Sequence, residues 1–391
     1  MIDSQLTPLK VLFITHAYPD FPGSFRGRLV YRMAQGLRSR GVQVHVLTPR
    51  VFEGSPLKET DKSGVRIYRF AYPSGNRILL SYDRIPVFRM LLFYLSGFIK
   101  GWALLRKRHY HIIHAHWLVP LGPLAVFLGK LFRRPTVVQA HGSDVHTYGG
   151  KNALLRRLLC YTVRKSDRAL TVSRKLSARL GGLCGVENRR FLYFPTFIDG
   201  DRFAPASDRV HSTNLVYAGG FYENKGILVL LRAAERFLTM RPDLSLTILG
   251  DGPLRERTEK WARESGFEER VSMPGVVPYD LMPKRLRAAL ALILPSYQEG
   301  LPSVILEAMA CGTPCIASNV GEIPSVIRHE VNGFLTRPGD FEQIGDAVSR
   351  LAADPGLREN MSVAARRGVE AYFTESAMDR LVNVYKGIHP F

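Results

Sequence analysis

Short runs of β-branched and aliphatic residues alternate along the chain with longer stretches whose apolar positions recur every three to four residues. "KVLFITH" precedes "RLVYRMAQGLRSRG"; "VQVHVLTP", "IIHAHW" before "GPLAVFLGKLF", "TVVQAHG" and "ALTVS" follow. Continuous apolar runs of this length read as strands buried on both faces, and the helices between them cover a parallel sheet. The alternation breaks at residues 194–205, "FPTFIDGDRFAP", a segment rich in Pro, Gly and Asp that reads as a linker. It restarts with "NLVYAGG", "SLTILGDG", "RVSMPG", "ALILPS" and "PCIAS". The pattern predicts an α/β protein with two doubly wound, Rossmann-like domains, residues 1–195 and 196–370. Residues 371–391 hold an amphipathic helix expected to cross back to the first domain. A chain of 391 residues is long enough for two cores.

Open parallel sheets bind ligands beyond the carboxyl ends of their strands, so the loops there are where chemistry is expected. In "AGGFYENKG", residues 218–226, Gly219 and Gly220 let backbone come close to a ligand, Lys225 brings a full positive charge, and a helix follows. That combination suits a phosphate group, the alternative being an ordinary loop with a solvated lysine. "GDGP" places Gly250 and Gly252 in a tight turn. Arg255 stands where a dinucleotide fingerprint needs its third glycine, which argues against a nicotinamide cofactor. "EGLPSVILEAMACG", residues 299–312, carries Glu299 and Glu307 with apolar residues around the second. Pro302 and Gly312 bracket a short helix over 302–311, with Glu299 in the loop at its mouth and Glu307 more than a turn inside. Carboxylates at such different depths suit two sets of hydroxyls rather than one metal.

In the first half "HIIHAHW" and "AHGSD" bring His114, His116, His141 and Asp144 to strand ends. A zinc hydrolase built on these histidines is one reading, structural histidines another, and His141, next to Gly142, is the best placed for catalytic contact.

Charge changes the picture more than composition does. The chain has 54 Lys and Arg against 34 Asp and Glu. Residues 1–200 hold 32 against 10, a net of +22, and the remainder 22 against 24, a net of −2. A one-sided field of this kind points to an anionic partner of the first half. Nucleic acid is the weakest candidate, since no recognition helix, zinc spacing or aromatic RNA-binding signature accompanies the basic residues. Met90–Leu105, "MLLFYLSGFIKGWALL", is apolar but for Lys100 and is followed by Arg106, Lys107 and Arg108. Too short by itself to span a bilayer, it reads either as a buried helix or as one that docks at the headgroup level. Cys160, Cys184, Cys311 and Cys315 form no disulfide framework by spacing and are expected as buried thiols in a reducing compartment. With no signal peptide before the first apolar run, a cytoplasmic location is expected, with attachment to the inner membrane face as an addition.

Taken together these loops resemble glycosyltransferase family 4, retaining enzymes of the GT-B fold with two facing domains and a cleft between them. "PSYQEGLPSVILEAMACGTPCIASNVGEIPSVI" is similar to that family's donor signature, two glutamates separated by seven residues. "KVLFITH", "IIHAHW", "HGSD", "GGFYENKG", "LGDGP" and "NGFLTRPGD" match in order and spacing. The resemblance implies transfer of a hexose-type sugar from a nucleotide diphosphate to an acceptor hydroxyl, in cell-surface polysaccharide or glycolipid synthesis, with no cofactor and no metal. It implies that Glu307 binds the ribose, Glu299 the transferred sugar, and Lys225 the diphosphate with backbone around Gly300, Leu301, Pro302 and Ser303. Gly219, Gly220, Gly250, Gly252 and Val276 complete the donor side. His141 sits beside the sugar, and Gly23, Gly27, His116 and Asp144 lie toward a glycan or lipid-linked acceptor. Two positions depart from the family: Gly220 stands where Arg is usual, and Ser325 where Glu is common. A sugar-nucleotide epimerase of the same fold and a noncatalytic lipid-binding relative remain rival readings.

Overall fold

The computed structural model describes residues 8–21, 26–76, 87–142, 144–145, 153–206 and 212–389. The chain divides into two compact units, one running to Pro195 and resuming at Ala377, the other Thr196–Ser376.

The first unit is built on a sheet of eight strands in the order β3-β4-β2-β1-β5-β6-β7-β8. They are β1 Lys10–Thr15, β2 Gln43–Arg50, β3 Lys58–Thr60, β4 Arg66–Ala71, β5 Ile112–His116, β6 Thr136–Ala140, β7 Arg168–Thr171 and β8 Phe191–Tyr193. All neighbours pair in parallel except β3 with β4. The second sheet, all parallel, runs β11-β10-β9-β12-β13-β14. Its strands are β9 Asn214–Ala218, β10 Ser245–Leu249, β11 Val271–Gly275, β12 Ala291–Leu294, β13 Cys315–Ser318 and β14 Gly333–Thr336. The order reverses direction beside β1 in the first sheet and beside β9 in the second, and such switch points leave an opening at the strand ends. Strands β1, β5, β6 and β12 are buried at nearly every position because helices cover both faces.

The C-terminal helix Thr374–Ile388 buries Ala377, Met378, Leu381 and Tyr385, a stripe one face wide, and belongs with the first unit from Ala377 onward. The second unit extends past residue 370. Ile198 bridges Phe373, Thr374 donates its amide to the Ile198 carbonyl, and the Arg366 guanidinium lies 4.4 Å over the Phe373 ring.

Two expectations are corrected. Cys160 and Cys184 are joined as a disulfide, with Cα atoms 5.0 Å apart, while Cys311 and Cys315 are buried thiols. The helices Ala153–Lys165 and Arg174–Cys184 pack side by side and bring together two residues that a separation of 24 does not mark as partners. The apolar run at 90–105 lies inside a longer helix, Val87–Lys107, whose Phe88–Lys107 portion is long and apolar enough to cross a membrane by length and composition. One side packs on the fold: a Cβ on Gly101 would fall 2.6 Å from Leu128, on the neighbouring helix Gly122–Leu131. The other side leaves Phe88, Leu91, Leu95, Ile99 and Trp102 exposed.

Candidate active site

Four loops meet at the carboxyl end of the second sheet, and glycines allow them to touch. Gly250 has φ +133°, and a Cβ there would lie 1.9 Å from the Gly219 carbonyl oxygen; one on Gly252 would meet the Phe221 backbone at 2.8 Å. These contacts seat the loop after β9 on the loop after β10, and the amides of Gly219 and Phe221 donate to the carbonyls of Leu249 and Asp251. The Gly250 amide in turn donates to the Gly275 carbonyl, which precedes the exposed Val276.

Beyond Gly220 the chain makes a single 3-10 turn, Glu223–Lys225, and enters the helix Ile227–Met240 through Gly226 at φ +70°. A Cβ on Gly226 would sit 1.9 Å from the Pro295 carbonyl oxygen, so the loop after β12 packs against this turn; the Tyr297 amide donates to Asn224 at 2.9 Å. The consequence is an ion pair. The Lys225 ammonium lies 2.8 and 2.9 Å from the two Glu299 oxygens, and the Ser296 hydroxyl donates to Oε1 at 2.8 Å. The Glu299 side chain is 9 % exposed and that of Lys225 31 %, so the carboxylate is nearly enclosed while its cation reaches solvent. Beneath them the buried Tyr217 donates its hydroxyl to the Gly220 carbonyl at 2.9 Å; its phenol is pushed up by burial and, less, by the Glu299 charge.

The loop after β13 closes the fourth side. Gly321, at φ +61°, packs on the Glu299 carbonyl, and the Glu322 amide donates to Gly300. Pro302, in extended conformation, precedes the helix Ser303–Ala310, so Ser303 and Leu301 flank the helix start. Glu307 is buried in the second turn. Ser296, Tyr217 and Gly321 escaped the sequence reading. A Ser-before-Tyr loop and a strand tyrosine carry no spacing signal, and Gly321 matters only because Glu299 lies against it.

In the first unit the histidines form a column. Tyr385 hydroxyl and His114 Nδ1 are 2.7 Å apart, the His114 and His116 rings stack at 4.3 Å and 27°, and His116 Nδ1 lies 3.4 Å from His141 Nε2. The Trp117 ring lies tilted at 31° against His141, 4.3 Å away, and Trp117 holds a positive φ of 66°. Burial drives His114 and His141 down to about 3 and holds His116 well below the ordinary histidine value, so all three are neutral. Asp144 is wholly buried, its oxygens accepting the Leu118 and Gly142 amides at 2.8 and 3.0 Å. Burial raises its carboxyl to about 6 against those hydrogen bonds. Asp144 ties the loops after β5 and β6 together, and His116, with no exposed surface, lies behind His141. Gly27, at φ +65°, packs on the Ala17 carbonyl beside an Arg26–Asp20 ion pair of 2.5 Å; Gly23 lies outside the described residues. Among the described residues no group of three or more His, Cys, Asp or Glu could hold a metal ion.

Comparison with known proteins agrees with this architecture. Residues 207–368 match the family model "Glycosyl transferases group 1", and residues 27–202 match "Glycosyltransferase Family 4". An alpha-D-kanosaminyltransferase of Streptomyces kanamyceticus is 31 % identical over 397 residues, covering 92 % of this chain and 99 % of its own. An uncharacterized glycosyltransferase of Methanocaldococcus jannaschii is 26 % identical, covering 97 % and 98 %. Among solved structures, the sucrose-phosphate synthase of Thermosynechococcus elongatus superposes with a TM-score of 0.77 at 22 % identity, covering 97 % of this chain and 98 % of that one. An Anabaena protein in complex with UDP gives 0.74 at 16 %, covering 97 % and 100 %. The protein is a glycosyltransferase of the GT-B fold. The chain belongs to glycosyltransferase family 4, the glycosyl transferases group 1.

Proposed function

We propose that the enzyme transfers a hexose-type sugar, with retention of anomeric configuration, from a nucleotide diphosphate sugar to a hydroxyl of a glycan or lipid-linked acceptor. The observation that carries this reading is the Lys225–Glu299–Ser296 constellation at the ends of adjacent strands β9 and β12, beside the start of the helix Ser303–Ala310. Lys225 and the helix start offer positive charge where a diphosphate leaves, and Glu299 offers acceptor oxygens for sugar hydroxyls. Glu307, one to two turns further in, accepts the ribose hydroxyls. Fixed positive groups of this kind stabilise the departing diphosphate without a divalent ion, so we assign no metal and no cofactor to the reaction. The Anabaena neighbour solved with UDP and with UDP-glucose supports a donor of this class, the base being left open.

The acceptor is assigned to the basic first half. Phe88, Leu91, Leu95, Ile99 and Trp102 form an exposed apolar stripe that ends at Arg106, Lys107 and Arg108, the Arg106 guanidinium stacking 4.7 Å over Trp102. An apolar stripe with a cationic end suits an anionic bilayer surface, and we place the enzyme peripherally on the cytoplasmic face of a membrane. Incubation with UDP-, GDP- and ADP-sugars, with mass and NMR analysis of the product, tests the chemistry. An α-linked product from an α-linked donor, formed equally in EDTA, is expected. Inverted product or dependence on added metal contradicts the reading. Flotation with liposomes of rising anionic lipid content is expected to carry more protein, and flotation indifferent to that content removes the membrane assignment.

A further inference from the structure

The helix Ala153–Lys165 carries an exposed basic face that the donor side does not use. Arg156 and Arg157 stand near its start, Arg164 and Lys165 at its end, and all four are exposed. Arg157 and Arg164, seven residues apart, leave the helix on the same side about 10 Å apart along its axis, with Cys160 and Tyr161 between them. These six residues, with Leu183, line a cavity of about 390 Å³. Its far wall is the helix Arg174–Cys184, tied to the first by the Cys160–Cys184 disulfide. Arg164 fastens the same wall by donating from Nε to the Cys184 carbonyl at 2.8 Å, and Lys130 adds a fifth cation 6.0 Å from the Tyr161 ring. Cross-linked walls hold the two basic pairs at their spacing.

The charge in this hollow is uncompensated. None of the residues lining it is acidic, and among the described residues Arg156, Arg157, Arg164 and Lys165 form no ion pair. A larger cavity of about 570 Å³ at the start of β7 and β8 differs: it mixes Arg168, Arg189 and Arg190 with Asp167 and Glu187, and Arg189 is paired with Glu187. Like charges gathered in a concavity concentrate anions there, and guanidinium forks grip carboxylate or phosphate oxygens two at a time. Spacing selects among the anions. A single phosphate or one lipid headgroup engages one basic pair, and a bilayer is too flat to enter between two helices. Nucleic acid, whose bases ask for successive aromatic platforms, finds one tyrosine between the pairs. A chain with negative groups on either side of an uncharged ring reaches both pairs and lays that ring beside Tyr161. We propose that this cavity binds an anionic glycan, a chain of sugars bearing carboxylate or phosphate groups. The inference rests on the reading that the acceptor is a glycan met by the first half, and it names that glycan's charge.

Calorimetric titration of the unaltered full-length enzyme with a short oligogalacturonide, and with the same oligomer methyl-esterified, tests the charge requirement without any variant. The acid form is expected to bind about tenfold or more tightly at low salt. Equal affinities overturn the proposal. Arg157→Gln with Lys165→Gln takes one cation from each end of the cavity and is expected to weaken the acid form about tenfold. Lys58→Gln with Arg66→Gln removes the same charge from exposed positions on β3 and β4, at the opposite edge of the first sheet, and is expected to change it less than about twofold. Equal losses in the two double variants mean attraction to the net charge alone and overturn the site. A single-stranded oligonucleotide, or liposomes of anionic lipid, bound more tightly than the oligogalacturonide and lost in the cavity variant would assign the cavity to that partner and overturn the glycan. Oligogalacturonide binding in an enzyme that transfers no sugar leaves this site standing and removes the glycosyl-transfer reading. Transfer to glycans by an enzyme that does not bind the oligogalacturonide does the reverse.

Discussion

Replacing Lys225 by Met separates what the lysine does for stability from what it does for catalysis. In the folded protein its ammonium touches both oxygens of a carboxylate that is only 9 % exposed, with Ser296 supplying the one other hydrogen bond described. Removing the partner of a buried charge costs about 3–5 kcal/mol when both groups are enclosed. Here the lysine is 31 % exposed, so solvent screens part of the interaction and a loss of about 1–3 kcal/mol is expected. Urea or thermal unfolding measures it. Adding Glu299→Gln to that variant removes the stranded charge, and most of the lost stability should return, to within about 1 kcal/mol of wild type. Turnover should behave differently. Loss of a fixed cation facing a departing diphosphate raises the barrier by about 2–4 kcal/mol, roughly a 30- to 1000-fold fall in kcat, and the second substitution does not restore it. A single variant with kcat within threefold of wild type refutes the leaving-group role. A double variant no more stable than the single one refutes the stranded-charge argument.

Acid should destabilise the first unit steeply. His45, His114 and His141 are held down to about 3 by burial, and His116 is also lowered, so unfolding takes up protons at all four once pH falls below the ordinary histidine value of 6.5. Each contributes stability that is present above pH 6.5 and is lost at about 1.4 kcal/mol per pH unit as pH falls toward 3. Asp144, raised to about 6, works in the opposite sense, its contribution being present at low pH and lost as pH rises through 6, but one carboxyl does not offset four imidazoles. A urea midpoint that does not fall between pH 7 and 5 contradicts the neutral column. Gly226→Ala puts a Cβ into the Pro295 carbonyl at a left-handed backbone position, so it should cost more than about 1–2 kcal/mol and weaken donor binding by moving Lys225; a variant of wild-type stability and affinity counts against the loop packing. Brominated anionic lipid in vesicles should quench Trp102 fluorescence more than that of Trp117 or Trp261, measured in single-tryptophan variants. Equal or no quenching of Trp102 removes the stripe from the interface.

Much of the architecture was legible because a parallel sheet writes itself as short, largely apolar runs, and the helix expected over 302–311 is observed as Ser303–Ala310. What the pattern hid depends on distances between remote segments. Cys160 and Cys184 are unremarkable until two helices place them face to face. Asp144 sits in a strand-end loop, where charge suggests contact with a ligand, yet its oxygens are spent on the amides of Leu118 and Gly142. Tyr385 looks like one more core position of an amphipathic helix, and only the fold reveals that its hydroxyl ends on His114. The helix Val87–Lys107 was ambiguous for a different reason. Its apolar residues serve two surfaces, one against the sheet and one facing out, and periodicity records hydrophobicity without saying which surface is covered.

Calorimetric titration with a nucleoside diphosphate and with its sugar conjugate, on wild type, Glu307→Gln and Glu299→Gln, reaches the central claim most directly. The account expects Glu307→Gln to weaken both ligands by the same factor, about tenfold or more, because both carry the ribose, and Glu299→Gln to weaken the sugar conjugate alone. Affinities unchanged in either variant, or a Glu307 effect confined to the sugar conjugate, would contradict it.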